Sequence, residues 1–407
     1  MNYTFSTTIK QEEHDAFIVT SEYCNLLQSA SWAKVKHNWK SAIVGVYQNN
    51  TLVASALVLI KPLPLKLAML YLPRGPILDY NNQELVNFFL LNLKKWAKKQ
   101  HCLFIKMDPA IKKNKYTTNT ISDGILEETK ICLNNLKVAG AIHKGYPTDM
   151  KTTIQPRLHA VVEKTDSFIE NLPKHTKRHI NIARKKEVSV NIYGIDKINE
   201  FSHLIKLTED RKSIQLRDVD CFSKLMEAYP KQSKLFLAHI NLPQLLQKSI
   251  IHLEEVEQNI KKCTPEQFNK LKDLLRCKES LQQDIDSITK YRQVDGEEPF
   301  IAGALCVFFG TTCEMLYMAM DGKYKRFMAP YLTHIAPMEY SFNHGYKYCN
   351  MGGLEGTLDG GLTKFKGNFN PMIYDYVGEF DIPVNKIVYK ASQIVYKIKK
   401  HRLYVKR

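Results

Sequence analysis

The stretches "VASALVLI" (residues 53–60) and "IAGALCVF" (residues 301–308) are two apolar runs of one length and one texture. Small and β-branched residues bounded by turn signals mark buried strands rather than helices. The first run follows Ser41–Tyr47 across Gln48-Asn49-Asn50, so residues 41–60 read as a hairpin. The second is followed by Gly310-Thr311-Thr312 and Cys313–Met320, again a hairpin. Downstream of the first, KLAMLYLPRGPILDY (66–80) reads as a strand running into a loop. Asn81–Gln100 then forms an amphipathic helix, and Cys102–Met107 a buried strand that ends at Asp108-Pro109. Downstream of the second come a loop (Asp321–Met328), a helix (Pro330–His344) and a strand (Tyr346–Met351). Hairpin, loop, helix and strand thus occur twice, which predicts two related mixed α/β domains. A length of 407 residues agrees, being more than one hydrophobic core usually holds.

Between the copies the pattern changes. Asn241–Lys262 is polar and helix-forming, with Leu246, Ile250, Leu253, Val256 and Ile260 as its apolar positions. Thr264-Pro265-Glu266-Gln267 has the form of a capping box with proline in the first turn. The helix it opens carries Leu271, Leu274, Leu281, Ile285 and Ile288; with Lys278 in the gap these repeat in steps of three and four, a heptad seam. Two such helices joined by a tight turn predict an antiparallel coiled-coil arm, about 30 Å long for roughly 20 residues at ~1.5 Å each. The expected organisation is 1–150 as the first domain and 151–240 with 297–383 as the second. The arm, 241–296, is inserted in the second, and 384–407 forms a basic C-terminal helix.

Lys and Arg number 58 against 41 Asp and Glu, a net charge of +17. That excess attracts nucleic acid or an anionic membrane, or serves solubility alone. Nine cysteines, an odd number with no C-x-x-C spacing, argue against a disulfide framework or a zinc site and fit a reducing cytoplasm. The opening MNYTFSTTIKQEE has no signal-peptide character, and the longest apolar run, Leu52–Ile60, is too short to span a bilayer. No Walker loop, dinucleotide fingerprint, H-E-x-x-H or nucleophile elbow occurs. A substrate that arrives already activated, with no cofactor and no metal, is therefore the expectation.

Three stretches could carry chemistry. "GGLEGTLDGGLTKFKGNFNP" (352–371) holds six of the 18 glycines and ends in two lysines flanking Phe365. It follows the buried strand of the second copy, where α/β folds place ligand loops. Glycine would let a bulky ligand approach the backbone, and Lys364 or Lys366 would meet phosphate or a developing oxyanion; a plain surface loop is the other reading. In "LQSASWAKVKHNWK" (27–40), Trp32, Lys36 and Trp39 share a helical face, either clamping an anion or forming core with a snorkelling lysine. The stretch 172–186 is basic, with Lys174, Lys177, Arg178, Arg184, Lys185 and Lys186. The chain from Val384 adds eight Lys/Arg and no acids, interleaved with tyrosines. Both basic stretches suit RNA phosphates or lipid headgroups, or a solvated face.

LQSASWAKVKHNW, LPRGPILDY, FIKMDP, TTIQPRL, KHTKRHINIARKK, MAPY and the GG…KFK loop, in that order, resemble the FemABX family of peptidoglycan branch-forming aminoacyl ligases, its MurM/MurN-type members in particular. The resemblance covers essentially the whole chain. It implies two GNAT-like acyltransferase domains, often with a coiled-coil arm. It also implies transfer of an amino acid, alanine or serine, from aminoacyl-tRNA to a cell-wall precursor. The acceptor would be the stem-peptide lysine, or the first bridge residue, of lipid II or its soluble UDP-linked counterpart. The protein would then be cytoplasmic, peripheral at the inner membrane face, and open to self-association through the arm.

By resemblance, Lys36 and Arg211 sit where the family binds the precursor's phosphates, Asp108 lies in the acceptor cleft and Tyr317 matches a substrate-contacting tyrosine. Phe365 and Lys366 match the pair at the aminoacyl-transfer site, and the six basic residues of 174–186 would meet tRNA. Leu103 stands where some relatives have tyrosine, and the arm favours lipid II over the soluble precursor. A non-catalytic RNA- or membrane-binding protein and an acetyl-CoA-dependent acetyltransferase are the rival classes. For the latter, neither PRGPILDY nor DGKYKRFMAP supplies the expected pyrophosphate loop.

Overall fold

The computed structural model describes residues 2–393. Strands in the first half of the chain are β1 (Tyr3–Ser6), β2 (Lys40–Gln48), β3 (Thr51–Pro62), β4 (Ala68–Leu72), β5 (Ile77–Leu78), β6 (Cys102–Met107), β7 (Lys112–Tyr116) and β8 (Ile142–His143). The second half holds β9 (Leu158–Glu163), β10 (Val188–Tyr193), β11 (Ser233–Ile240), β12 (Phe300–Phe309), β13 (Thr312–Met320), β14 (Tyr348–Gly353), β15 (Met372–Tyr376) and β16 (Phe380–Pro383). The helices are α1 (Gln11–Val19), α2 (Trp32–Val35), α3 (Gln83–Lys99), α4 (Glu127–Val138), α5 (Lys174–Lys185), α6 (Ile198–Lys212), α7 (Val219–Ala228), α8 (Leu242–Lys261), α9 (Phe268–Asp295), α10 (Ala329–Asn343) and α11 (Gly361–Gly367). Of the expected C-terminal helix (384–407), residues 384–385 are a bend, 386–393 are helical and 394–407 lie outside the described residues.

Two mixed sheets result, in the orders β1-β2-β3-β4-β6-β16-β8 and β10-β11-β12-β13-β14-β9-β15-β7, with β5 paired to β3. The two opening runs fall on β3 and β12, each third from its sheet edge. From them each sheet steps antiparallel to β4 or β13, then parallel to β6 or β14 across the helix α3 or α10. The duplication is therefore structural, but the hairpins correspond with a shift of one strand. The counterpart of the β2–β3 hairpin is β11–β12, whose first strand, SKLFLAHI, the sequence reading did not identify. Asn49 and Asn50, at φ 48° and 64°, close β2–β3 in two residues, as a left-handed hairpin turn requires. At the matching place in the second half, residues 241–299 intervene and contain α8 and α9. The helical arm is thus an expanded hairpin turn.

Asn241 caps α8 by accepting from the Gln244 amide at 2.8 Å. On α9 the heptad positions are the shielded ones, with Ile288 buried at the root, and Lys278 reaches Glu257 across the seam at 2.7 Å. On α8 the shielded positions are Leu245, Ser249, Leu253, Val256 and Ile260, so Ile250 turns outward at 40% exposure. The capping box does not form. Thr264 makes no side-chain cap, and a single 3-10 turn at Pro265–Gln267 precedes α9.

The sheets do not divide where the chain was expected to divide. β7, from the first half, pairs with β15 in the second sheet, and β16, near the C-terminus, pairs with β6 and β8 in the first. The halves are further joined where α2 packs on α7 and where Ser29 Oγ meets the Tyr229 hydroxyl at 2.5 Å. One core lies between the first sheet and α3 and α4; a second lies between the other sheet and α5 and α10. A third, under α6 and α7, includes Leu26 from the first half. The seam between the halves is where the candidate site lies.

Candidate functional site

Parallel pairing of β13 with β14 runs only from Thr312–Tyr348 to Glu314–Asn350. Beyond it the two strands no longer hydrogen-bond to each other, whereas β4 and β6 stay paired to Leu72–Met107. The second sheet alone therefore opens at this point, and the glycine-rich segment leaves β14 there. The segment is not a free loop. Gly352 takes φ 80°, and a side chain at Gly356 would strike the Thr148 carbonyl at 1.9 Å. Side chains at Gly353 and Gly360 would meet Pro156 and the Glu355 carboxylate, each at 2.6 Å. Gly353, Gly356 and Gly360 thus serve close packing of the chain on itself, while an added Cβ at Gly361 would meet nothing within 4 Å. They lead into α11, whose first turn is capped by Glu355: Oε1 accepts from the Leu362 amide and Oε2 from the Thr363 amide, both at 2.9 Å.

This cap fixes the two residues expected at the transfer site. Lys366 is 7% exposed and its Nζ donates to the Gly353 carbonyl at 2.8 Å. Burial pushes its ammonium down to about 7; Glu355 opposes that shift and Lys212 adds to it. Phe365 lies edge-on to His334 at 4.9 Å and to Tyr331 and Phe369 at 5.6 Å. Its ring joins an aromatic cluster against α10. His334 Nδ1 donates to the Pro330 carbonyl at 2.8 Å, and burial keeps its ring near 4, neutral at pH 7.

Asp108 comes from the other half, at the end of β6. Its Oδ1 accepts from the Arg74 amide at 3.1 Å, while Oδ2 has no hydrogen-bonding partner and lies 3.7 Å from Arg74 Nε. Burial lifts this carboxyl to about 6 in spite of the Arg74 charge. The nearby Tyr71 hydroxyl is buried beside Asp108 and Gln155, with no hydrogen bond of good geometry to either. The carboxylate and the hydroxyl thus form a buried polar pair at the end of β6. Arg74, which sequence reading passed over, ties the halves together. It donates to the Pro156 carbonyl at 2.7 Å, meets His159 Nε2 at 2.9 Å and stacks on Tyr376 at 4.4 Å. His159 continues to Asn350 at 3.2 Å. Burial, then Arg74 and Lys366, hold its ring near 3. Arg74 thus bonds both Asp108 and His159, and the Lys366 charge acts on the same His159 ring, which sets Asp108 and Lys366 in one polar seam.

The tryptophan pair does not form the expected clamp. α2 ends at Val35, so Trp39 leaves the helical face. Lys36 Nζ lies 5.6 Å over Trp32, and a different lysine, Lys61, covers Trp39 at 5.3 Å. Lys36 instead faces Arg217. Burial and then Arg217 lower its ammonium. Tyr317, raised to about 12 by burial and flanked by Cys221 and Arg217, completes the group, its ring edge-on to Phe222 at 4.9 Å. An open groove of about 880 Å³ along Ser213–Val219 adjoins it and includes Arg217. Arg211 does not line that groove. Its side chain is near Gly322, where an added Cβ would stand 2.9 Å from Cδ. Within QLR, the arginine that Lys36 meets is Arg217.

On α5, Lys174, Arg178, Arg184 and Lys185 are exposed. Lys177 donates to the Glu170 carbonyl at 3.0 Å, and Lys186 pairs with Asp284 of α9 at 3.6 Å. Among the described residues no cluster of His, Cys, Asp or Glu could hold a metal ion, and no helix is long and apolar enough to cross a membrane.

The FemAB family model matches residues 9–397. Aminoacyltransferase FemA of Staphylococcus aureus (strain MRSA252) is 27% identical over 423 residues, covering 97% of this chain and 98% of FemA. The crystal structure of FemX superposes with a TM-score of 0.78 at 24% identity, over 96% of this chain and 99% of FemX. A tandem GNAT protein from the clavulanic acid biosynthesis pathway shares the fold, with a TM-score of 0.51 at 7% identity over 94% of this chain and 99% of its own. Two open-edged sheets built on one plan, a charged seam between them and a match along nearly its whole length agree: this chain is a transferase and belongs to the FemAB family.

Proposed function

We propose that this protein transfers an amino acid, alanine or serine, from aminoacyl-tRNA to lipid II in the synthesis of peptidoglycan cross-bridges. The acceptor is the stem-peptide lysine or the first bridge residue, presented at the inner membrane face. The observation that carries this reading is the shared seam. A buried lysine with an ammonium near 7 stands where the second sheet opens, in one polar seam with a carboxylate that has an unsatisfied oxygen.

The donor ester is already activated, so no nucleotide is hydrolysed. The acceptor nitrogen forms a bond to the aminoacyl carbonyl carbon, the bond from that carbon to the ribose oxygen breaks, and the amine proton ends on the ribose oxygen. Lys366 stabilises negative charge on the carbonyl or ribose oxygen, and near pH 7 about half of it carries the proton that the leaving oxygen needs. Asp108 Oδ2 accepts from the acceptor ammonium and orients it, and the ammonium releases one proton to solvent to become the attacking amine. Lys36, Arg217 and Tyr317 hold the precursor's diphosphate, with Trp32 as apolar backing to Lys36. The exposed cations of α5 meet the tRNA backbone.

The test is purified protein with lysine-form lipid II and Ala-, Ser- or Gly-tRNA, read by mass analysis of the lipid. A gain of one residue with one of these donors is expected. No gain on lipid II, on lipid II already carrying one residue, or on the UDP-linked precursor would refute the proposal.

A further inference from the structure

A cavity of about 250 Å³ lies at the root of the arm, between the end of α5 and helices α8 and α9. Lys185, Lys186, Lys248, His252 and Arg326 line it, with Asp284 as the acidic member. Arg326 Nη1 donates to Asp284 Oδ1 at 2.6 Å, but Nε and Nη2 find no hydrogen-bonding partner among the described residues. Its guanidinium is pressed on Phe327 at 4.9 Å and Tyr291 at 5.6 Å, which fixes its plane. Lys186 lies 3.6 Å from the other Asp284 oxygen, and Lys248 pairs with Glu187 at 2.6 Å. Four cations against two carboxylates leave the cavity positive, and a fixed guanidinium with two unused donors suits a planar or tetrahedral oxyanion.

The cavity also has a place relative to the transfer site. The start of α5 is bound to the turn after α11: Thr176 Oγ1 donates to the Asn368 carbonyl and His175 Nε2 meets Asn368 Oδ1, both at 2.7 Å. The end of α5 is bound to the arm through Lys186 and Asp284. Twelve helical residues span about 18 Å at ~1.5 Å each. Lys174, Arg178, Arg184 and Lys185 are exposed along that length. A track of cations therefore runs from the turn beside Lys366 to the cavity.

We propose that the arm-root cavity binds a backbone phosphate of the donor RNA, about five nucleotides from its esterified end at roughly 3.4 Å per nucleotide. This rests on the aminoacyl-tRNA reading above and extends it, giving the arm's root a part in donor binding. The recessed shape, between a helix and the arm, favours a strand threading past over a flat lipid surface.

The test compares wild type with Arg326→Gln, and with Lys248→Gln as the variant that spares the Asp284 contact. Uncharged tRNA binding is measured by anisotropy across a salt series, and transfer with both full-length aminoacyl-tRNA and a 3′-aminoacylated trinucleotide. Arg326→Gln is expected to weaken tRNA binding about tenfold and to lower the salt slope by about one. KM for the full-length donor rises in step, while kcat and all trinucleotide kinetics stay at the wild-type level. Lys248→Gln gives a smaller loss in the same sense. Equal loss with the trinucleotide would overturn the proposal, since the cavity would then act only by supporting the transfer site. Unchanged tRNA binding in both variants would overturn it too, as would a loss confined to phosphatidylglycerol vesicles. If wild type transfers from neither donor, the transferase reading fails, and the anisotropy series alone still decides whether the cavity holds RNA.

Discussion

Replacing Lys366 with methionine should make the protein more stable and nearly inactive. The side chain is 7% exposed and its ammonium lies near 7, against about 10.4 in an unfolded chain. Between those two values the unfolded state binds a proton that the folded state does not, so stability rises with pH through that window. Below it, the buried charge costs its full penalty. At about 1.4 kcal/mol per pH unit, the wild type gives up roughly 4 kcal/mol at pH 7 and about 1 kcal/mol at pH 9.5. Methionine removes this penalty and loses one hydrogen bond to the Gly353 carbonyl, worth about 1 kcal/mol. The net gain is then about 3 kcal/mol at pH 7 and near zero at pH 9.5. For the interlocked chain of 407 residues, at about 2.1 cal/mol/K per residue, this corresponds to a rise of roughly 3–4 °C in Tm at neutral pH. Transfer should fall by about 100- to 1,000-fold, as when one oxyanion donor is lost. Thermal melts at the two pH values and single-turnover transfer from aminoacyl-tRNA read both quantities. A variant that melts below wild type at pH 7, or that transfers within tenfold of it, refutes the reasoning.

Asp108→Asn should remove an acid limb near pH 6 from the pH profile of kcat/KM, because that carboxyl ionises there; a limb that persists assigns it to another group. Arg217→Ala should raise KM for the lipid acceptor by about tenfold or more with kcat held, and Arg211→Ala should do less, which acceptor titrations at saturating donor will rank. Gly356→Ala places a methyl group on the Thr148 carbonyl. It should displace the segment that leads into α11 and lower transfer more than tenfold, while far-UV circular dichroism stays near wild type.

The repeated β-hairpin signals were legible because buried strands with tight turns carry their own local pattern, as at Asn49-Asn50. β11 was not, because its hairpin partner β12 lies beyond the whole arm, so no short turn joins the two strands. The heptad of α9 could be read from spacing, whereas the phase of α8 depends on which face the body covers, and Ile250 therefore moved outward. Lys366 and Asp108 stood out by resemblance and by their neighbours. Arg74 did not, since its importance comes from partners at Pro156, His159 and Tyr376 that lie far along the chain. Arg217 was passed over for the same reason: which arginine near the end of α6 faces Lys36 is set by tertiary packing, not by the motif.

The crossed strands carry a consequence for how the protein is made. β16 sits between β6 and β8, so the first sheet lacks an inner strand until residue 383 has been synthesised. At about 5–20 residues per second, the ribosome takes on the order of 10–50 s to add the 240 residues from the end of β8 to the end of β16. During that time the nascent first half exposes the unpaired edge of β6, a template for wrong pairing. β7 waits likewise for β15. Neither half is a module that evolution could exchange or a laboratory could express alone, and a stop codon shortly before Phe380 would unmake the beginning of the protein along with its end.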